Sequence, residues 1–211
     1  MRRFGYLWIL PFALLIIGCI KPEIIPAPTQ KVDLTAYLKG EINGTNIKWV
    51  QNVDDYDCFP TITKTTVQGT GQSSKAVYYA EMKSESVKGS LKIGLGSVLW
   101  DYNLTENPTM KLFSDFMNLN TKPKYSPNSR FGFEVQYKDK FGNMWLSDSL
   151  TKGNSVQFIG VKQESDIDYD YSKFVCRFNC KVYRSYIDEK KDTILDSILM
   201  QNVEFKGWFT R

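Results

Sequence analysis

From Leu34 to Arg211 the chain alternates apolar and polar residues with a period of two, in short runs broken by turn-forming residues. Successive side chains of a strand point to opposite faces, so this alternation marks a sheet with one face buried and the other wet. The run 174–182 is the clearest. Phe174, Cys176, Phe178, Cys180 and Val182 alternate with Val175, Arg177, Asn179 and Lys181, and the first set is expected inside. Near the C-terminus Val203, Phe205, Gly207 and Phe209 share one face, opposite Glu204, Lys206, Trp208 and Thr210. Trp208 on the polar side is expected to pack under a loop, with exposure to a partner as the alternative.

The runs assemble into an ordered series. "LTAYLKGEI" and "NIKWVQN" flank Asn43-Gly44, a pair suited to a two-residue type I′ hairpin. "PTITKTTV", "AVYYAEMKS" and "SLKIGLGSVLW" follow, with a Gly/Ser-rich loop after the first of them. The glycines Gly94 and Gly96 inside the last predict a bulge or a close approach. "FGFEVQYKD" and "NMWLSD" flank a further hairpin, and "SVQFIGVKQ", "SKFVCRFNCKVYRSYI" and "SILMQNVEFKGWFTR" read as a closing antiparallel meander. One stretch departs from the pattern. "NPTMKLFSDFMNL" places Asn107 at an N-cap and Pro108 at the first helical position, with Met110, Phe113 and Met117 on one face and Leu112 and Phe116 beside it. The expectation is therefore a single all-β domain over 34–211. It would be an antiparallel β-sandwich or a barrel-like fold of nine or ten strands, with one short helix near 108–118 that plugs an end or covers a face.

The first residues have a different character. Arg2 and Arg3 precede Phe4 to Gly18, a run of 15 residues without charge. That run is short for a bilayer span of about 20 residues and suits the apolar region of a signal peptide. Ile16-Ile17-Gly18-Cys19 resembles the bacterial lipobox. The resemblance implies a leader over 1–18 cleaved by signal peptidase II, a diacylglyceryl group on the Cys19 thiol and acylation of the new amine. Several acyl chains hold firmly where one binds marginally, at about 0.8 kcal/mol per buried CH₂. Residues 19–33 then carry the lipidated cysteine and a tether; three prolines in "IKPEIIPAPTQK" favour an extended chain. Ile20 follows the cysteine, where an Asp would resemble an inner-membrane retention signal, so the expected location is the outer membrane, in either leaflet.

Composition excludes more than it assigns. Histidine is absent, which removes Ser-His-Asp and Cys-His nucleophiles and every His-ligated metal. The net charge is +4 with both signs interspersed, no electrostatic footprint for nucleic acid. Beyond Cys19 there are Cys58, Cys176 and Cys180. Cys176 and Cys180 lie about 13 Å apart along a regular strand, too far to pair. A bridge from Cys58 to either one is expected as an option, against three buried free thiols. Asp166, Asp168 and Asp170 have the alternate spacing of half a calcium loop, yet the Gly and distal Glu of that pattern are missing, so a solvated turn is preferred to a weak Ca²⁺ site. "GTGQSSK" lacks the ending of a phosphate loop and leads into a strand. Ser149, Thr193 and Ser197 stand in Asp-Ser/Thr-aliphatic triplets that resemble a bacterial O-glycosylation sequon.

"LKGEINGTNIKW", "FEVQYKDKFGNMW" and the closing "VQFIGVKQ … FVCRFNCKVY … NVEFKGWF" resemble the small β-rich lipoproteins of Bacteroidota-type bacteria, a group without an assigned activity. The resemblance spans most of 34–211. The leader, the absent histidine and the lack of a convergent catalytic motif together lead to the expectation of an envelope protein that binds or builds and does not catalyse, with no cofactor. Its partners would be the membrane, through the lipid, and a glycan or another envelope protein. Trp49, Trp100, Trp145 and Trp208 are candidates for stacking on sugars, with most of them expected in the core. Two other readings stay open: a lipocalin-like carrier of an apolar ligand, and a pilin-like subunit exchanging donor strands.

Overall fold

The computed structural model describes residues 31–69, 71–126 and 132–211. The expected leader, Cys19 and the expected tether up to residue 30 lie outside the described residues. The elements are β1 (Tyr37–Ile42), β2 (Thr45–Val50), β3 (Tyr56–Thr65), β4 (Ser74–Ser84), β5 (Ser90–Trp100), α1 (Met110–Leu119), β6 (Phe133–Lys138), β7 (Met144–Ser147), β8 (Ser155–Ser165), β9 (Asp170–Ile187) and β10 (Thr193–Thr210). The alternating runs therefore become strands, and the fold is all-β with one short helix.

The strands form one antiparallel sheet in the order β2-β1-β10-β9-β7-β6-β5-β4-β3. β9 forks: its first half pairs with β8, and Val182 and Tyr183 pair with β7. The sheet curls into a half-barrel, bringing β3 and β4 against β10. α1 packs against β5, β8 and β9. Asn43 and Gly44 both have positive φ (50° and 76°), as a type I′ turn requires, and they join Ile42 directly to Thr45. The glycine signal in β5 also corresponds to a bulge, where Ala76 pairs with Val98 but Val77 with Gly96.

The helix begins later than expected. Thr109 is the N-cap, its hydroxyl accepting the Leu112 N–H at 3.3 Å, and Pro108 precedes the cap. Asn107 instead accepts a hydrogen bond from the Lys64 ammonium. Phe113 and Met117 are buried and Met110 and Phe116 half-buried, whereas Leu112 faces outward. Arg211 ties the helix to the sheet: its Nε and Nη2 reach Asp170 Oδ2 at 2.7 and 2.5 Å, and its Nη1 donates to the Pro108 carbonyl at 2.8 Å.

Phe174, Cys176, Phe178, Cys180 and Val182 all point into the core, as do Val203, Phe205, Gly207 and Phe209. Aromatic rings fill the hollow of the sheet. Phe158 meets Phe174 edge-on at 5.2 Å and Phe133 at 5.8 Å, and Phe174 meets Phe209 at 4.6 Å and Phe205 at 5.9 Å. Such contacts add about 0.5–1.5 kcal/mol each beyond burial. β10 lies between β1 and β9.

Candidate functional site

The outer face of β1, β10, β9 and β8 carries a polar row set by register. Lys39 pairs with Glu204, Glu204 with Arg177, and Arg177 with Gln157. Each of these residues alternates with a buried neighbour, such as Leu38, Phe205, Cys176 or Phe158, so all four face away from the core. The row depends on a bulge in β10. Between Met200 and Val203 the register slips, and Asn202 takes a left-handed conformation (φ 51°), its N–H donating to Asn179 Oδ1 at 2.7 Å. β1 answers with Gly40, at φ +151°, where a Cβ would lie 2.7 Å from Val203 Cα. Only a residue without a side chain lets the two backbones nest.

Glu204 organises the row. Its carboxylate accepts from Lys39 Nζ at 2.8 Å, Tyr37 Oη at 2.7 Å and Arg177 Nε at 2.7 Å. The residue is only 9% exposed. The Lys39 ammonium and then the Tyr37 hydroxyl hold its carboxyl down at about 2. Partial burial, and then the bond to Glu204, push the Tyr37 phenol up.

Around this cluster lies a groove of about 600 Å³. Lys122, from the segment after α1, stands at its rim beside Ser155, Gln157, Asn179 and Asn202. That segment is fixed to β8 by the Phe158 N–H donating to the Thr121 carbonyl at 2.8 Å. Arg177 spends only its Nε on Glu204, so among the described residues its terminal nitrogens have no partner. Lys122 likewise forms no ion pair among them. The groove therefore combines three cations with one carboxylate that is already neutralised.

The residues singled out from sequence are not in this groove. Cys58 lies in β3. Cys58, Cys176 and Cys180 are free and buried. Cys58 packs on β10, with its Sγ 3.2 Å from where a Gly207 Cβ would stand, whereas Cys176 and Cys180 belong to the next strand, β9. No bridge joins them. Burial pushes the Cys58 and Cys180 thiols up to about 12 and Cys176 well above its ordinary value, so all three stay protonated at neutral pH.

The three aspartates do not converge either. Asp166 accepts the N–H groups of Tyr169 and Asp168 within its own turn, and these hold its carboxyl low. Asp170 is bonded to Arg211 and Ser165, and Asp168 is exposed. Among the described residues no group of three or more such side chains could hold a metal ion. Trp100, Trp145 and Trp208 are buried, and Trp49 stacks on Tyr56 at 4.9 Å, so Trp208 is packed and not presented. Ser149, Thr193 and Ser197 are exposed.

Lys39, Lys122, Gln157 and Glu204 had no local signature as a site. The useful signal was the glycine after Lys39 inside a strand, which marks a close approach without naming its partner. Comparison with known proteins finds no matching family model, no matching curated protein and no matching solved structure.

Proposed function

We propose that the chain is a lipid-anchored protein of the cell envelope whose domain acts by binding, through the groove over β1, β10, β9 and β8. One observation carries the binding reading: Glu204 holds Lys39 and Arg177 side by side, while the outer nitrogens of Arg177 have no partner among the described residues. A carboxylate held near 2 is a poor proton acceptor or donor at neutral pH, so it serves positioning better than acid–base catalysis. The absence of histidine supports the same choice.

The anchor rests on Arg2-Arg3, the apolar run and Ile16-Ile17-Gly18-Cys19. It fits the position of Val32 and Leu34, which already pack against the core, so that the tether ends where the domain begins. Labelled palmitate tests it in cells making the wild type or Cys19→Ser. Label is expected in the wild type alone. Equal labelling of both, or of neither, would overturn the anchor.

A further inference from the structure

The groove has a preference written into its charges. Lys39, Arg177 and Lys122 face one carboxylate, Glu204, which leaves a local surplus of two positive charges. The surplus is not diffuse. Glu204 accepts from Arg177 Nε at 2.7 Å, which tethers the guanidinium at the groove and leaves its two terminal nitrogens without a partner among the described residues. A planar fork of two N–H donors matches the two oxygens of a carboxylate or phosphate, and a fork already held in place loses little freedom on binding.

The rest of the lining is amide and hydroxyl. Asn179 is committed, donating to Ser155 Oγ at 3.2 Å and accepting from Asn202 N. The side-chain amides of Gln157 and Asn202 have no partner among the described residues. An amide donates and accepts at once, as a sugar hydroxyl does. Phe178 is the one ring among the described lining residues, and it is buried, so the lining presents no ring face for stacking on a neutral sugar. A volume of about 600 Å³ suits two or three sugar units.

We infer that the groove binds an acidic saccharide, with the terminal nitrogens of Arg177 and the Lys122 ammonium holding its oxyanion and the Gln157 and Asn202 amides meeting the neighbouring hydroxyls. The oxyanion is a sugar carboxylate or a sugar phosphate. This inference rests on the binding reading above but not on the lipid anchor, which palmitate labelling judges separately.

The test is calorimetric titration of the full-length protein with trigalacturonic acid, glucose 6-phosphate, maltotriose, inorganic phosphate and a short polyglutamate. One of the two charged saccharides is expected to bind with a Kd of about 1 mM or tighter. Which of them binds identifies the oxyanion. Binding should weaken as NaCl is raised. Arg177→Gln and Lys122→Gln should each weaken it about tenfold or more, and Lys111→Gln, on the exposed face of α1, should leave it unchanged. Lys122 forms no ion pair or side-chain hydrogen bond among the described residues, so its substitution separates binding from folding. Maltotriose binding as well as the charged saccharides, inorganic phosphate or polyglutamate binding while both charged saccharides stay silent, or indifference to Lys122→Gln would each overturn the inference.

Discussion

Glu204 is nearly buried, yet it stays ionised because Lys39, Tyr37 and Arg177 all donate to it. Its folded value, about 2, lies below the ordinary glutamate value of 4.5. The stabilisation is therefore fully present above about pH 4.5 and is lost as pH falls towards 2. Lys39 and Arg177 are 52% and 62% exposed, so solvent screening reduces the effect. Glu204→Gln should cost on the order of 2 kcal/mol at neutral pH, and the difference from wild type should shrink as the pH approaches 2. Urea unfolding across that range checks it; a constant difference would show that the charge is not the cause. None of this was legible residue by residue. Glu204 reads as an outward-facing strand residue, and its partners Lys39 and Arg177 come from strands distant in sequence. Alternation gives a side chain its face and says nothing about its cross-strand neighbour, because register is a property of the pairing.

Elements were more legible than contacts. The Asn43-Gly44 turn, the β5 bulge and the inward face of β9 all have local causes: backbone conformations that few residues adopt, and a side-chain period that does not depend on the partner strand. The N-cap of α1 was misplaced because Asn107 and Thr109 both suit a cap. A long-range contact separates them, since the Asn107 side-chain oxygen accepts from the Lys64 ammonium of β3 while Thr109 accepts from Leu112 N. The bulge of β10 against Gly40 was hidden for a similar reason: β10 carries one extra residue only relative to its partners, with Asn202 and Val203 opposite Gly40 of β1 and Gln201 and Asn202 opposite Asn179 of β9. Gly40→Ala should cost about 2 kcal/mol or more, since a Cβ at 2.7 Å from the Val203 backbone adds to the strain of φ +151°. Gly44→Ala, with open space around its site, should cost about 1 kcal/mol. Denaturant midpoints of the two variants check the order, and equal losses would mean the bulge does not need close approach.

At the scale of the molecule the sheet curls about a filled aromatic interior, and its three thiols are part of that filling. In the Cys19→Ser protein, iodoacetamide should react sluggishly with the native state. After unfolding without reductant it should label three thiols, Cys58, Cys176 and Cys180. One labelled thiol in place of three would establish the bridge that this structure lacks. The curl itself was not legible, since period-two runs serve a sandwich and a barrel equally; long β9 and β10, which reach past β7 and β8 to pair across the molecule, decide it.

The place of β1 has a mechanical consequence. This strand is the first among the described residues, and it is hydrogen-bonded along both edges, to β2 and to β10. A pull from the N-terminal side would run along the strand and load both ladders at once, in shear. Bonds loaded in shear share the force, whereas bonds peeled from an end yield one at a time. Tension entering through residue 36 would therefore meet the sheet where it resists best. It would also pass through Lys39, so that the first ion pair to feel a tug is the one that shapes the groove.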